Sequence, residues 1–256
     1  MKNLFSVEGK VALVTGGSRG IGLMIARGLV ENGARTYISS RKKDVCDEVA
    51  AELSRGGTCI SLPADLAAAN GPAELARQLA EREPALNILV NNAGANWGAP
   101  MAEYPDDAWD KVLGLNVRSV FSLTRYCLPL LEKAATAEDP GRVINIGSID
   151  GIQIPALETY AYSASKAAVH HLTRVLAHQL AAKKITVNAV APGPFESKMM
   201  AETLRTFGDA IVASCPLKRI GTPEDMAGVA IYLSSRAGAY VTGAVIPVDG
   251  GILIKP

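Results

Sequence analysis

Residues 11–22 read Val11–Ala12–Leu13–Val14–Thr15–Gly16–Gly17–Ser18–Arg19–Gly20–Ile21–Gly22. A β-branched run breaks into glycines. Helical apolar spacing then begins at Gly20 and continues to Asn32, and Gly33 closes it as a C-cap. Glycines at such a turn allow tight bending and close backbone approach. The start of the following helix offers unpaired N–H groups and the positive end of its dipole. Together these make a setting for a pyrophosphate.

The same alternation extends outward from this unit. Residues 35–39 read as a second strand, 43–55 as a helix, 58–62 as a third strand and 73–82 as a helix after Gly71–Pro72. Residues 86–90 are continuously apolar, as a strand covered on both faces should be. Helices are expected at 106–116, 117–133, 158–182 and 223–233, and strands at 142–146, 185–190 and 244–248. Crossovers of this length join parallel strands, right-handedly. The expectation is a Rossmann-type α/β fold: one domain over residues 1–256, a doubly wound parallel sheet of about seven strands with helices on both faces. Residues 192–218 look irregular, and a loop of that length reads as a lid over a substrate.

Composition narrows the function. Among 256 residues, 48% are apolar and 20% charged, which excludes wholesale disorder. A net charge of +1 provides no field for nucleic acid. Cys46, Cys59, Cys127 and Cys215 are scattered, with no CxxC pair, so no metal is expected and a reducing cytoplasm fits. No apolar run approaches the ~20 residues of a membrane span. The first ten residues are too short and polar for a signal peptide.

Many dinucleotide folds place an acid at the end of the second strand to accept ribose hydroxyls. Here the segment is Ile38–Ser39–Ser40–Arg41, without a carboxylate. Ser40 and Arg41, with Arg19 in the glycine turn, suit the extra phosphate of NADP(H).

Further motifs follow in order: Asp65–Leu66, Asn91–Asn92–Ala93–Gly94, Asn116, Ser148, Tyr162–Ser163–Ala164–Ser165–Lys166 and Pro192–Gly193. This ordered set resembles the short-chain dehydrogenase/reductase family over nearly the whole chain. The resemblance implies that Gly16, Ser18, Arg19, Gly20, Ile21 and Gly22 cradle the cofactor, with Asp65 and Leu66 at its adenine end. Asn92, Ala93 and Gly94 would border the ribose, and Ile146 with Pro192–Gly193–Pro194 the nicotinamide. Tyr162 would be the proton donor. Lys166, one turn later, would lower the phenol's pKa together with oxidised nicotinamide and bond the ribose hydroxyls. Ser148 would hydrogen-bond the substrate oxygen, and Asn116 would hold a water chain behind the lysine. Tyr160 has no lysine at i+4 and is expected to line the pocket. Asp150 reads as a loop cap, and His170, His171 and His178 as surface or interface residues.

Within that family the chain is most similar to 3-oxoacyl-(acyl-carrier-protein) reductases. The similarity rests on 89–94 with Trp97–Gly98, on 142–148 and on 246–251. It implies NADPH-dependent reduction of a 3-oxoacyl thioester, on acyl carrier protein or coenzyme A, to a (3R)-3-hydroxyacyl product. Another small ketone or alcohol (sugar, steroid or xenobiotic) is the alternative substrate, and a non-catalytic NADP-binding regulator the alternative class. Relatives carry carrier-docking arginines where Asp139 and His178 stand here; Arg125, Lys133 and Arg142 could compensate. Trp97, Ile152, Ile154, Tyr160, Phe195, Met199 and Met200 offer pocket surface. The family forms oligomers through helices at 117–133 and 158–182, so a homotetramer is expected, with Leu123, Leu130, Val169, Leu172 and Leu176 as candidate contacts.

Overall fold

The computed structural model describes residues 2–198 and 200–254; Met199, expected in the pocket, lies outside the described residues. Seven parallel strands form one sheet in the order β3-β2-β1-β4-β5-β6-β7. They are β1 (Val11–Thr15), β2 (Arg35–Ser39), β3 (Cys59–Ser61), β4 (Ile88–Asn91), β5 (Gly141–Ile146), β6 (Ile185–Pro192) and β7 (Val245–Val248). The sequence order reverses direction between β1 and β4, which places a crevice at their carboxyl ends. The central strands β4, β5 and β6 are buried along their whole length, including the polar Asn91, Arg142, Asn145, Thr186 and Asn188.

Helices cover both faces. On one side, α1 (Gly20–Glu31), α2 (Lys43–Leu53) and α8 (Pro223–Ser234) enclose a core with Val14, Ile25, Leu29, Ile38 and Val190. On the other, α3 (Gly71–Ala80), α5 (Ser119–Ala134) and α6 (Tyr160–Leu180) enclose Leu13, Leu75, Leu89, Leu123 and Val187. Close contact on the first side needs Gly28, where a Cβ would lie 2.5 Å from that of Ala227.

The structure corrects three expectations. Residues 192–218 contain a helix, α7 (Ala201–Ser214), rather than irregular chain. Gly208 interrupts its apolar spacing, and it has no fully buried residue among those described, so the packing signal was weak. Leu123, Leu130, Val169 and Leu176 face the chain's own core, whereas Phe121, Tyr126 and Val175 are the large apolar residues left exposed on α5 and α6. Phe195 is only 2% exposed and packs on Gly221, where a Cβ would lie 2.3 Å from its ring; it is a core residue rather than a pocket wall.

The amino-terminal edge of the sheet holds a polar cluster. Asp139 accepts from Lys10 Nζ at 2.7 Å and from Arg142 at 2.9 Å. Lys10 also donates to the Ser234 carbonyl at 2.9 Å, and Arg142 to that of Ser235 at 3.0 Å, so two cations cap the end of α8. Arg142 is 1% exposed. It cannot serve as a docking arginine, and Asp139 is engaged internally.

Candidate active site

The crevice begins at the turn between β1 and α1. Gly16 has φ +64°, and a Cβ there would lie 2.7 Å from Asn92 Nδ2; at Gly22 it would lie 2.3 Å from the Gly16 carbonyl oxygen. At both positions the chain's own atoms leave no room for a side chain. Arg19, at the N-cap of α1, makes no side-chain cap bond, and the first turn has no acidic residue. Its N–H groups remain available for an anion. Thr15 Oγ1 accepts the N–H groups of Asn92 and Ala93 at 2.9 and 3.0 Å, while Asn92 Nδ2 donates to the Thr15 carbonyl at 2.9 Å. Asn92 thus locks the turn. Ser18 and Ile21 are half-buried along the turn, and Arg19 and Arg41 are exposed. Half-buried Ser40 donates to the Lys42 carbonyl at 3.3 Å. These groups fit a phosphorylated dinucleotide: glycines for approach, helix N–H groups for pyrophosphate, and cations where an acid would repel a ribose phosphate.

Around the crevice, Asp65 is exposed and accepts the Ala67 N–H at 3.0 Å, whereas Leu66 is buried in the core. Gly94 faces Asn116, where a Cβ would lie 3.2 Å from Oδ1. Pro192 ends β6 in a buried position, and Gly193 permits close passage of Asp249, 2.8 Å from its ideal Cβ.

Ser148, Lys166 and Tyr162 meet beyond the end of β5. Ser148 Oγ accepts the Asp150 N–H at 3.1 Å. Lys166 Nζ donates to the Ile146 carbonyl at 2.7 Å and lies 5.4 Å from the Tyr162 ring centroid. Burial pushes the phenol up to about 12, opposed by Ser148 and assisted by the Asp150 charge. Burial brings Lys166 down to about 8. Loss of hydration is the largest cause of both shifts, and the hydrogen-bond partner of the ammonium is a backbone carbonyl.

Asn116 is buried on a π-helical turn, Gly114–Arg118, that joins α4 (Asp106–Leu113) to α5. Such turns often occur at functional sites. Its amide donates to the Ala95 carbonyl and the Ser165 hydroxyl, both at 2.9 Å, and accepts the Ala95 N–H at 2.8 Å. Ser165 in turn donates to the Tyr162 carbonyl at 2.6 Å. Asn116 therefore ties the loop after β4 to the helix bearing Tyr162 and Lys166.

Two neighbours depart from expectation. Asp150 does not cap its loop with its carboxylate; its N–H is the group capped, by Ser148. His170 is 4% exposed rather than at the surface, seated where Cβ atoms on Gly147 and Gly151 would lie 2.1 and 2.9 Å from its ring. His171 and His178 are exposed.

Beside the site is a cavity of about 660 Å³, lined by Met101, Tyr104, Trp109, Ile154, Leu157 and Tyr160 among others. Trp97, Ile152 and Ile154 are exposed near it, Ile154 at 95%. Sequence reading missed Tyr104 and Trp109. Tyr104 packs edge-on against Tyr160 at 5.3 Å, and its hydroxyl accepts the Ala161 N–H at 3.3 Å. The signal available was a tyrosine and a tryptophan five residues apart at the head of α4.

Among the described residues, no group of three or more His, Cys, Asp or Glu is placed to hold a metal, and no helix is long and apolar enough to cross a membrane.

Comparison with known proteins places this geometry in context. The family model described as enoyl-(acyl carrier protein) reductase matches residues 16–253. The chain is 51% identical to the rhamnolipids biosynthesis 3-oxoacyl-[acyl-carrier-protein] reductase of Pseudomonas aeruginosa, covering 98% of this chain and 99% of that protein. It is 37% identical to the 2-dehydro-3-deoxy-D-gluconate 5-dehydrogenase of Pseudoalteromonas atlantica, covering 98% of each. The solved NADP active-site complex of Pseudomonas aeruginosa RhlG superposes with a TM-score of 0.95 at 50% identity, covering 98% of this chain and 99% of that one. On the family match and these identities over nearly the whole chain, the chain belongs to the short-chain dehydrogenase/reductase family.

Proposed function

We propose that this protein is an NADP(H)-dependent reductase of 3-oxoacyl thioesters, forming 3-hydroxyacyl products with Tyr162 as proton donor. The observation that carries the reading is the convergence of the Ser148 hydroxyl, the Tyr162 phenol and the Lys166 ammonium beside the bare glycine turn. When bound, NADPH supplies the hydride. Ser148 Oγ accepts the Asp150 N–H and would donate its own proton to an incoming carbonyl oxygen. The buried phenol, neutral at physiological pH, hands its proton to that oxygen as charge develops there. Lys166, held by the Ile146 carbonyl, stabilises the phenolate left behind. Asn116 keeps the two walls of the crevice in register. Gly16, Ser18, Arg19, Gly20, Ile21 and Gly22 bind the pyrophosphate end, Ser40 and Arg41 the ribose phosphate, and Asp65 and Leu66 border the adenine. Ala93, Gly94, Pro192 and Gly193 border the nicotinamide ribose and ring.

The thioester assignment draws on the rhamnolipid reductase and on the apolar cavity beside Tyr160, sized for an acyl chain. Acyl carrier protein or coenzyme A would carry the chain. Residues 192–218, with α7, form the lid of the single domain. A homotetramer would use the exposed face of Phe121, Tyr126 and Val175.

The test is NADPH consumption with acetoacetyl and medium-chain 3-oxoacyl substrates on both carriers, beside simple ketones and sugar acids. Tyr162→Phe should cut turnover about a thousandfold while NADPH still binds. A protein that prefers sugar acids would overturn the thioester assignment. One that reduces no carbonyl would overturn the enzymatic reading.

A further inference from the structure

The turn that carries Ser148 rests on a histidine of α6. Tyr162, Lys166 and His170 recur every four residues, so they share one face of that helix. Ser148 lies in extended conformation, φ −168°, with Gly147 before it and Gly151 at the far end of its turn. An ideal Cβ on Gly147 would lie 2.1 Å from His170 Nε2 and 2.6 Å from its Cδ2; one on Gly151 would lie 2.9 Å from its Cε1. A single flat ring therefore fills the space against both glycines, and Ser148 stands between them in the chain. The residue is 4% exposed, and its Nε2 is buried without a hydrogen-bond partner. Leaving a buried polar atom unpaired is costly, so stability alone does not account for a histidine at this place.

We propose that His170 is a positioning residue for carbonyl reduction, acting through Ser148. Its ring sets how far the Ser148 turn stands off the helix that carries Tyr162 and Lys166. The backbone fixes the rest of the turn. The Gly147 N–H donates to the Val190 carbonyl at 2.7 Å, tying the entry to β6, and the Gly151 N–H donates to the Ser148 carbonyl at 3.0 Å, closing the turn. Gly151 also presses on α6, where its ideal Cβ would lie 2.6 Å from the Lys166 carbonyl carbon and 2.7 Å from Ala167 N. Between these anchors the imidazole is the spacer. A flat five-membered ring reaches both glycines, whereas an aliphatic side chain branches out of plane and an alanine leaves a void into which the turn can settle. A hydroxyl moved by about 1 Å from the oxygen it must serve can lose on the order of a hundredfold in rate.

For its kinetic effect the proposal rests on the reductase reading, and a structural measurement separates the two. NADPH-dependent reduction of a 3-oxoacyl thioester is compared in native protein and His170→Ala, with kcat counted per NADPH-binding site so that misfolded protein does not enter. His170→Ala should lower kcat at least about tenfold and leave the NADPH dissociation constant within about twofold. An unchanged kcat overturns the proposal, and so does an NADPH affinity that falls in step with kcat; both leave the reductase reading intact. Crystal structures of the two proteins should show residues 147–151 moved by about 1 Å relative to Tyr162 and Lys166. A turn that stays in place overturns the proposal whatever the activity. If native protein reduces none of the carbonyls offered, the reductase reading fails and the crystals decide alone: a moved turn supports the spacer role, and an unmoved one ends it. Should His170→Ala fail to fold, His170→Leu, which keeps most of the volume without the flat ring, takes its place in both measurements.

Discussion

Replacing Asp139 with asparagine removes one charge from the amino-terminal edge of the sheet and preserves volume and an acceptor oxygen. In the native protein that carboxylate neutralises Lys10 and Arg142, which also cap the last carbonyls of α8. Arg142 also bonds the Pro140 carbonyl, and its Nε is buried without a partner, so the guanidinium has no alternative anion nearby. Breaking a buried pair by removing one partner costs about 3–5 kcal/mol; the part-exposed carboxylate reduces this to about 2–4 kcal/mol. For a domain of this size the melting temperature should fall by about 5–10 °C. The pH dependence has a definite sign. Burial holds Lys10 below its ordinary 10.5, so between the two values the unfolded chain binds more protons and stability rises with pH. Asp139 partly offsets that depression. Without its charge Lys10 falls further, the rise starts at lower pH, and the gap between native and variant narrows as pH increases. Thermal denaturation followed by circular dichroism at several pH values, without nucleotide, measures this. A drop below about 1 °C, or a gap that widens with pH, would refute the internal role. A change in preference between carrier protein and coenzyme A at unchanged stability would return Asp139 to a docking surface.

Three further outcomes follow from the same coordinates. Gly22→Ala places a methyl 2.3 Å from the Gly16 carbonyl oxygen, and NADPH affinity by fluorescence titration should fall at least about tenfold; unchanged affinity would mean the turn is not the pyrophosphate site. Arg41→Ala should raise KM for NADPH about tenfold and leave that for NADH within twofold, since the exposed guanidinium has only the ribose phosphate to recognise. Burial holds His170 down at about 4, so stability on the order of 3 kcal/mol, fully present above its ordinary 6.5, is lost as pH falls toward 4; His170→Gln should flatten that acid limb in urea titrations.

The sheet was readable because its determinants are local. Strands such as β1 and β4 stand out as apolar runs, and several crossovers show helical spacing closed with glycine or proline. What escaped depends on neighbours distant in sequence. Phe195 was expected to line the pocket, but Gly221, twenty-six positions later, leaves the space its ring fills. Leu123 and Val169 showed an apolar stripe, yet periodicity cannot tell whether a sheet or a second subunit covers it. Asn116 was flagged by motif order, while the π turn that carries it and its bonds to Ala95 and Ser165 depend on residues distant in sequence. The phenol is the most instructive case. An i,i+4 lysine argues for a lowered pKa only if the ammonium dominates the phenol's surroundings. Burial and the Asp150 charge push this phenol up, which spacing along the helix does not reveal. Sequence spacing puts Tyr162 and Lys166 one turn apart on α6; the burial and charge around the phenol come from the packed structure.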